Sequence, residues 1–144
     1  MQLKCVVIDN EEGALELMKK YVSKIPFLKL VHILCDPANA VDFLRDIDLL
    51  FIDINIPSSI DLLSSLTTKP LTIFTTAYKK YALQGFEFGA IDYLLKPLDF
   101  ERFSTAVSRA IELFEIRQYS KQADQQFLFI RSANKTIRIQ LNEI

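Results

Sequence analysis

The chain has 144 residues, room for one domain with little to spare, and half of them are apolar while three glycines and five prolines leave it neither disordered nor fibrous. Seventeen basic residues face eighteen acidic ones, a net charge of -1, so no global field draws the chain to nucleic acid or an anionic membrane. The longest apolar runs, such as Cys5–Ile8 and Leu49–Ile52, are far shorter than the roughly 20 residues of a membrane helix. The start has no signal-peptide pattern, and the expected location is the cytoplasm.

Leu3–Ile8 is a nearly continuous Val/Ile-rich run, which predicts a strand buried on both faces. Leu15, Met18, Val22 and Ile25 then recur at spacings of three and four, an amphipathic helix running to about Lys24 and stopped by Pro26. Leu28–Leu34 is a second strand, with Asp36 and Pro37 opening a short helix through Arg45. Leu49–Ile52 is a third strand ending at Asp53, and a helix follows over about Ser59–Leu66. Leu71–Thr75 is a fourth strand, Tyr78 to about Phe88 a fourth helix capped by Gly89, and Ile91–Leu95 a fifth strand halted by Pro97. Asp99 caps a last helix carrying Phe103, Val107, Ala110, Ile111 and Phe114. Five β-α units in a row imply an α/β fold: a five-stranded, doubly wound parallel sheet with helices on both faces.

Beyond that point residues 118–126 are polar and read as the end of the last helix or a linker, and Phe127–Arg131 and Thr136–Leu141 are β-rich, a short C-terminal hairpin around Ser132–Lys135. So few residues cannot bury a core alone. The expected organisation is therefore a domain over residues 1–117, a linker over 118–126 and the incomplete start of a second domain over 127–144. Cys5 and Cys35, alone in apolar runs, read as two buried free thiols.

In an open parallel sheet, ligands bind at the carboxyl ends of the strands. There the chain places Asp9, Asn10 and Glu11, then Asp53, then Thr75 and Thr76, then Lys96. Each alone is a common turn or cap residue. Together, acids, a hydroxyl and a lysine describe a site for a hard cation and a phosphoryl group. Oxygens of Asp9, Asn10 and Asp53 suit Mg²⁺, an anionic Asp53 can attack phosphorus, Lys96 can pair with a phosphoryl oxygen, and Thr76 can donate to another. Other chemistries fit poorly. A phosphatase built on Asp53 needs an acid two positions on, where Asn55 stands, and the glycines form neither GxGxxG nor a P-loop. Acids in the first loop repel a flavin phosphate, and the single histidine, His32, lies inside a strand.

These residues carry a resemblance. Asp9–Glu11, Asp53 with Pro57, Thr76 with Ala77, and Lys96 with Pro97 resemble a two-component response-regulator receiver domain, of flavodoxin-like (βα)5 fold, over about residues 1–117. Ile73–Tyr78, Tyr81–Leu83 and Asp92–Pro97 closely resemble receivers attached to LytTR-type DNA-binding domains, and residues 127–144 resemble the opening strands of such a domain. The resemblance implies that Asp53 accepts phosphate from a histidine kinase, with Mg²⁺ held by Asp9, position 10, Asp53 and the backbone carbonyl of Asn55. It makes Thr76 and Tyr93 the switch pair, biasing a face formed by the fourth helix, fifth strand and last helix toward homodimerisation. It implies a cis Lys96–Pro97 bond, a phosphoacceptor with self-catalysed transfer and autodephosphorylation rather than an enzyme, and DNA binding only in a full-length protein. Two departures stand out: Asn10 replaces the usual carboxylate ligand, with Glu11 beside it, and the loop after Pro57 is about two residues short and lacks a glycine. A receiver serving as a phosphate-independent interaction module is the alternative.

Overall fold

A computed structural model of the chain describes the backbone of residues 1–142 and the side chains of residues 1–128, 130 and 131. Its elements are β1 (Leu3–Ile8), α1 (Glu12–Ser23), β2 (Leu28–Leu34), a 3-10 turn (Val41–Leu44), β3 (Leu49–Asp53), α2 (Ser59–Ser65), β4 (Leu71–Thr76), a 3-10 turn (Lys79–Tyr81), α3 (Ala82–Glu87), β5 (Asp92–Leu95) and α4 (Phe100–Asn142). The chain divides into two compact units, the first Met1–Ile111 and the second beginning at Glu112.

In the first unit all five strands pair in parallel in the order β2-β1-β3-β4-β5. This is the expected doubly wound sheet. The apolar runs are strands because both of their faces are covered: Val6, Ile8, Leu50, Ile52 and Phe74 pack with Leu44, Leu62 and Leu63, while Phe51 stacks on Phe103 of α4 with centroids 5.5 Å apart. The helical periodicity of α1 buries Met18 and Val22. Asp99 caps α4 as expected, its Oδ2 accepting the Arg102 N–H at 3.0 Å. Gly89, directly after the C-cap of α3, has φ 84°, a conformation that favours glycine.

Three expectations give way. The second helix is reduced to the turn Val41–Leu44. Asp36 does accept a backbone N–H, from Ala38 at 2.9 Å, but this closes a turn, and left-handed φ values at Asn39 (63°) and Asp46 (60°) interrupt the chain on both sides. Cys5 is buried but Cys35 is exposed, because β2 ends at Leu34 and the shortened segment after it leaves the thiol uncovered. The third change is at the C-terminus: α4 continues without a break to Asn142, so that residues 118–126 extend the helix and the hairpin at 127–131 and 136–141 is replaced by it. Residues 118–126 contain neither glycine nor proline, and the expected turn at 132–135 has no glycine, so nothing stops the helix. A lone two-stranded hairpin is also marginal in water, whereas a helix satisfies its own backbone. Residues 143 and 144, the end of the expected second domain, lie outside the described residues. Among the described residues no helix is long and apolar enough to cross a membrane.

Candidate phosphoacceptor site

The strand registers bring the site together. Ile8 pairs with Ile52, so Asp9 leaves β1 beside Asp53, the last residue of β3; Asp53 pairs with Thr75, and Thr76 with Leu95, the residue before Lys96. Asp9 and Asp53 are buried, at 2 % and 3 % exposure. Their turns are held by the carboxylates themselves: Asp9 Oδ1 accepts the Glu11 N–H at 2.9 Å, and Asp53 Oδ1 accepts the Asn55 N–H at 2.8 Å.

The ammonium of Lys96 lies between three carboxylates, 2.8 Å from Asp53 Oδ2, 2.9 Å from Asp9 Oδ2 and 3.2 Å from Glu11 Oε1. Burial on its own would lower the Lys96 pKa, but hydrogen bonds and charge from Asp53 and Asp9 outweigh it and hold the group up at about 12. Carboxylate oxygens of Asp9, Glu11 and Asp53 lie within 4.8 Å of one another. An all-oxygen, triply anionic donor set that already gathers a cation fits a hard divalent ion such as Mg²⁺. The peptide bond between Lys96 and Pro97 is cis.

Not every expected residue joins this cluster. Asn10 and Glu11 are both exposed, and among the acids of the described residues the third member of the cluster is Glu11. Thr76 is buried, yet its hydroxyl is engaged by the Asn55 side chain and the Tyr78 backbone rather than by Asp53. Tyr93 is half-buried, edge-on to Phe86 with centroids 6.1 Å apart. On it lies the guanidinium of Arg102, 5.7 Å from the ring centroid.

Two supports escaped the sequence reading. Ser59, fully buried at the start of α2, donates its hydroxyl to the Asp53 carbonyl at 2.6 Å and thereby anchors the shortened loop. A serine opening the helix that follows a site-bearing strand was the available signal. Ser59→Ala is expected to cost about 1 kcal/mol, checked by urea unfolding. Asp92 is the other: it is buried at the start of β5 and takes two hydrogen bonds from Arg102, at 2.6 and 3.1 Å, while Arg102 also reaches the Tyr93 carbonyl at 3.0 Å. An acid inside the apolar run of β5 requires such a partner.

A family model described as the response regulator receiver domain matches residues 5–108. The chain belongs to this family. An uncharacterized response regulatory protein of Vibrio cholerae is 33% identical to this chain over 153 residues, covering 99% of this chain and 63% of the relative. The sensory transduction protein LytT of Enterococcus faecalis is 35% identical over 112 residues, 73% of this chain and 46% of that protein. The receiver is also similar to the crystal structure of the response regulatory domain of protein mrkE from Klebsiella pneumoniae, with TM-score 0.70, 28% identity and coverage of 78% of this chain and 98% of that one. The chain spans between about half and two-thirds of the length of these two curated relatives.

Proposed function

We propose that this receiver is the phosphorylation-controlled input of a LytTR-type response regulator, accepting phosphate on Asp53 from a sensor histidine kinase. The observation that carries the reading is the Asp53 carboxylate itself, buried, 2.8 Å from the Lys96 ammonium and within an acidic cluster at the carboxyl edge of the sheet. A carboxylate oxygen of Asp53 attacks phosphorus, the bond from phosphorus to the donor breaks, and an aspartyl phosphate results. Lys96 pairs with the phosphoryl oxygens as they arrive, and Thr76 donates to one of them. Asp9, Asp53 and the Asn55 carbonyl would hold Mg²⁺, with Asn10 contributing a neutral amide and Glu11 a compensating charge; when bound, the ion supplies neutralising charge for the phosphoryl oxygens.

Thr76 and Tyr93 are the switch pair in this reading, and homodimerisation uses the face of α3, β5 and the start of α4, where Leu83, Phe86 and Leu95 are exposed. Residues 1–117 are the receiver, 118–126 a linker, and 127–144 the start of a LytTR-type DNA-binding domain through which a longer protein regulates transcription. Likeness to LytT supports this, as does the Vibrio cholerae match across nearly the whole chain and only part of the relative. Residues 127–142 are helical in the present chain, so the strands of this reading form only with the rest of that domain.

The test is acetyl phosphate with Mg²⁺, read by intact mass. An adduct of about 80 Da, lost in Asp53→Asn, is the expected result. Asn10→Asp is expected to raise its yield by restoring a carboxylate ligand. No adduct in the native chain, with one in Asn10→Asp, transfers the reading to a phosphate-independent interaction module.

A further inference from the structure

The hydroxyl of Thr76 has one proton to give. It lies 2.8 Å from Oδ1 of Asn55 and 3.2 Å from the Tyr78 carbonyl, and it accepts the Tyr78 N–H at 3.0 Å. The shorter separation assigns the proton to Asn55. The same residue is tied by its backbone N–H to Asp53 Oδ1 at 2.8 Å. Asn55 thus binds the acceptor carboxylate with its main chain and the hydroxyl with its side chain. Nothing in that arrangement lets Thr76 serve a phosphoryl oxygen while it still serves Asn55.

We propose that Asn55 is a latch, a positioning residue that occupies the Thr76 proton at rest and must release it when a phosphoryl group on Asp53 competes. The inference rests on the acceptor reading of Asp53 and adds an opposing equilibrium to it. Thr76 is buried in β4, so its hydroxyl keeps a partner in either state, whereas Asn55 is exposed and its freed amide oxygen passes to water. The exchange therefore sets one protein hydrogen bond against one to the phosphoryl group, and the latch weakens phosphoryl binding by about two- to tenfold, the net worth of a neutral hydrogen bond. Asn55 so tunes how readily the site commits, without touching the phosphorus.

A double-mutant cycle on the full chain tests it, using beryllium trifluoride with Mg²⁺ as a phosphoryl mimic and calorimetric titration as the readout. N55A is expected to bind the mimic about two- to tenfold more tightly than the native chain. The same substitution in a T76V background, which lacks the hydroxyl, is expected to change nothing, and in a T76S background the gain returns. Unchanged or weaker binding in N55A, or an equal gain with and without the hydroxyl, overturns the latch and leaves the acceptor reading standing. Absence of binding in every variant overturns the acceptor reading and the latch with it.

Discussion

Lys96→Met is expected to lower stability at neutral pH by about 3 kcal/mol and to slow phosphoryl uptake about 100-fold. The side chain of Lys96 is only 9% exposed and its two nearest partners, Asp9 and Asp53, are buried more deeply still. Removing the ammonium leaves these carboxylates facing one another without a counter-charge. Glu11, with a side chain 60% exposed, can swing into solvent, which holds the loss to the low end of the range for buried pairs. In a chain of this length the loss corresponds to about 10 °C in the melting temperature. Millimolar Mg²⁺ is expected to raise that temperature more in the variant than in the native protein, because the cluster has become more anionic and binds the ion more tightly.

The alkaline limb gives a second check on the same residue. Because the folded pKa, about 12, lies above the ordinary 10.5, the contribution of the ammonium is complete below pH 10.5 and is lost as pH rises through 12. The stability difference between native and variant chains should therefore close across that window. A difference that persists above it would mean that packing of the lysine stem, not its charge, supports the site.

Gly85→Ala is expected to destabilise the fold by about 2 kcal/mol even though alanine is the better helix former. A Cβ on Gly85 would meet Cδ2 of Phe74 at 2.5 Å and Cε2 at 3.2 Å. Phe74 is 1 % exposed in the middle of β4, paired with Ile52 on one side and Tyr93 on the other, so it has nowhere to move. Either α3 lifts from the sheet or the ring leaves its rotamer. Urea denaturation of Gly85→Ala with and without Phe74→Leu separates the two causes: shortening the ring should recover much of the loss, making the pair strongly non-additive. Since Phe74 lies two residues before Thr76, the single variant should also blunt the response to beryllium trifluoride.

The sheet was legible because burial on both faces demands continuous apolar runs, and Leu3–Ile8, Leu49–Ile52 and Leu71–Thr75 have no other use. From the carboxyl-edge rule, Asp9, Asp53 and Lys96 were also legible, and the structure brings these three within hydrogen-bond reach. What the sequence hid were choices between neighbours. Nothing in Asp9-Asn10-Glu11 says which side chain reaches the cluster; in the structure Asn10 and Glu11 are both exposed, and it is a carboxylate oxygen of Glu11 that comes within 3.2 Å of the Lys96 ammonium. The Thr76 hydroxyl was assigned to the phosphoryl site by residue type, but Asn55, twenty-one positions away in sequence, competes for it only once the fold is formed. The short second helix failed on two left-handed residues, Asn39 and Asp46, whose side chains tolerate that conformation without announcing it. Residues 127–141 show the reverse error: β-branched and aromatic residues suggested strands, but strand formation needs partners that local composition does not provide.

The unequal cover over the two cysteines makes the protein selectively addressable. Burial pushes the Cys5 thiol up to about 12, leaving almost no thiolate at neutral pH, while Cys35 stands in solvent past the end of β2. A maleimide fluorophore or spin label will therefore modify the native fold at Cys35 and reach Cys5 only on unfolding. Because β2 and β5 are opposite edges of the sheet, a probe at Cys35 reports from the edge remote from Tyr93, and partial alkylation kinetics at Cys5 measure global opening in the same sample.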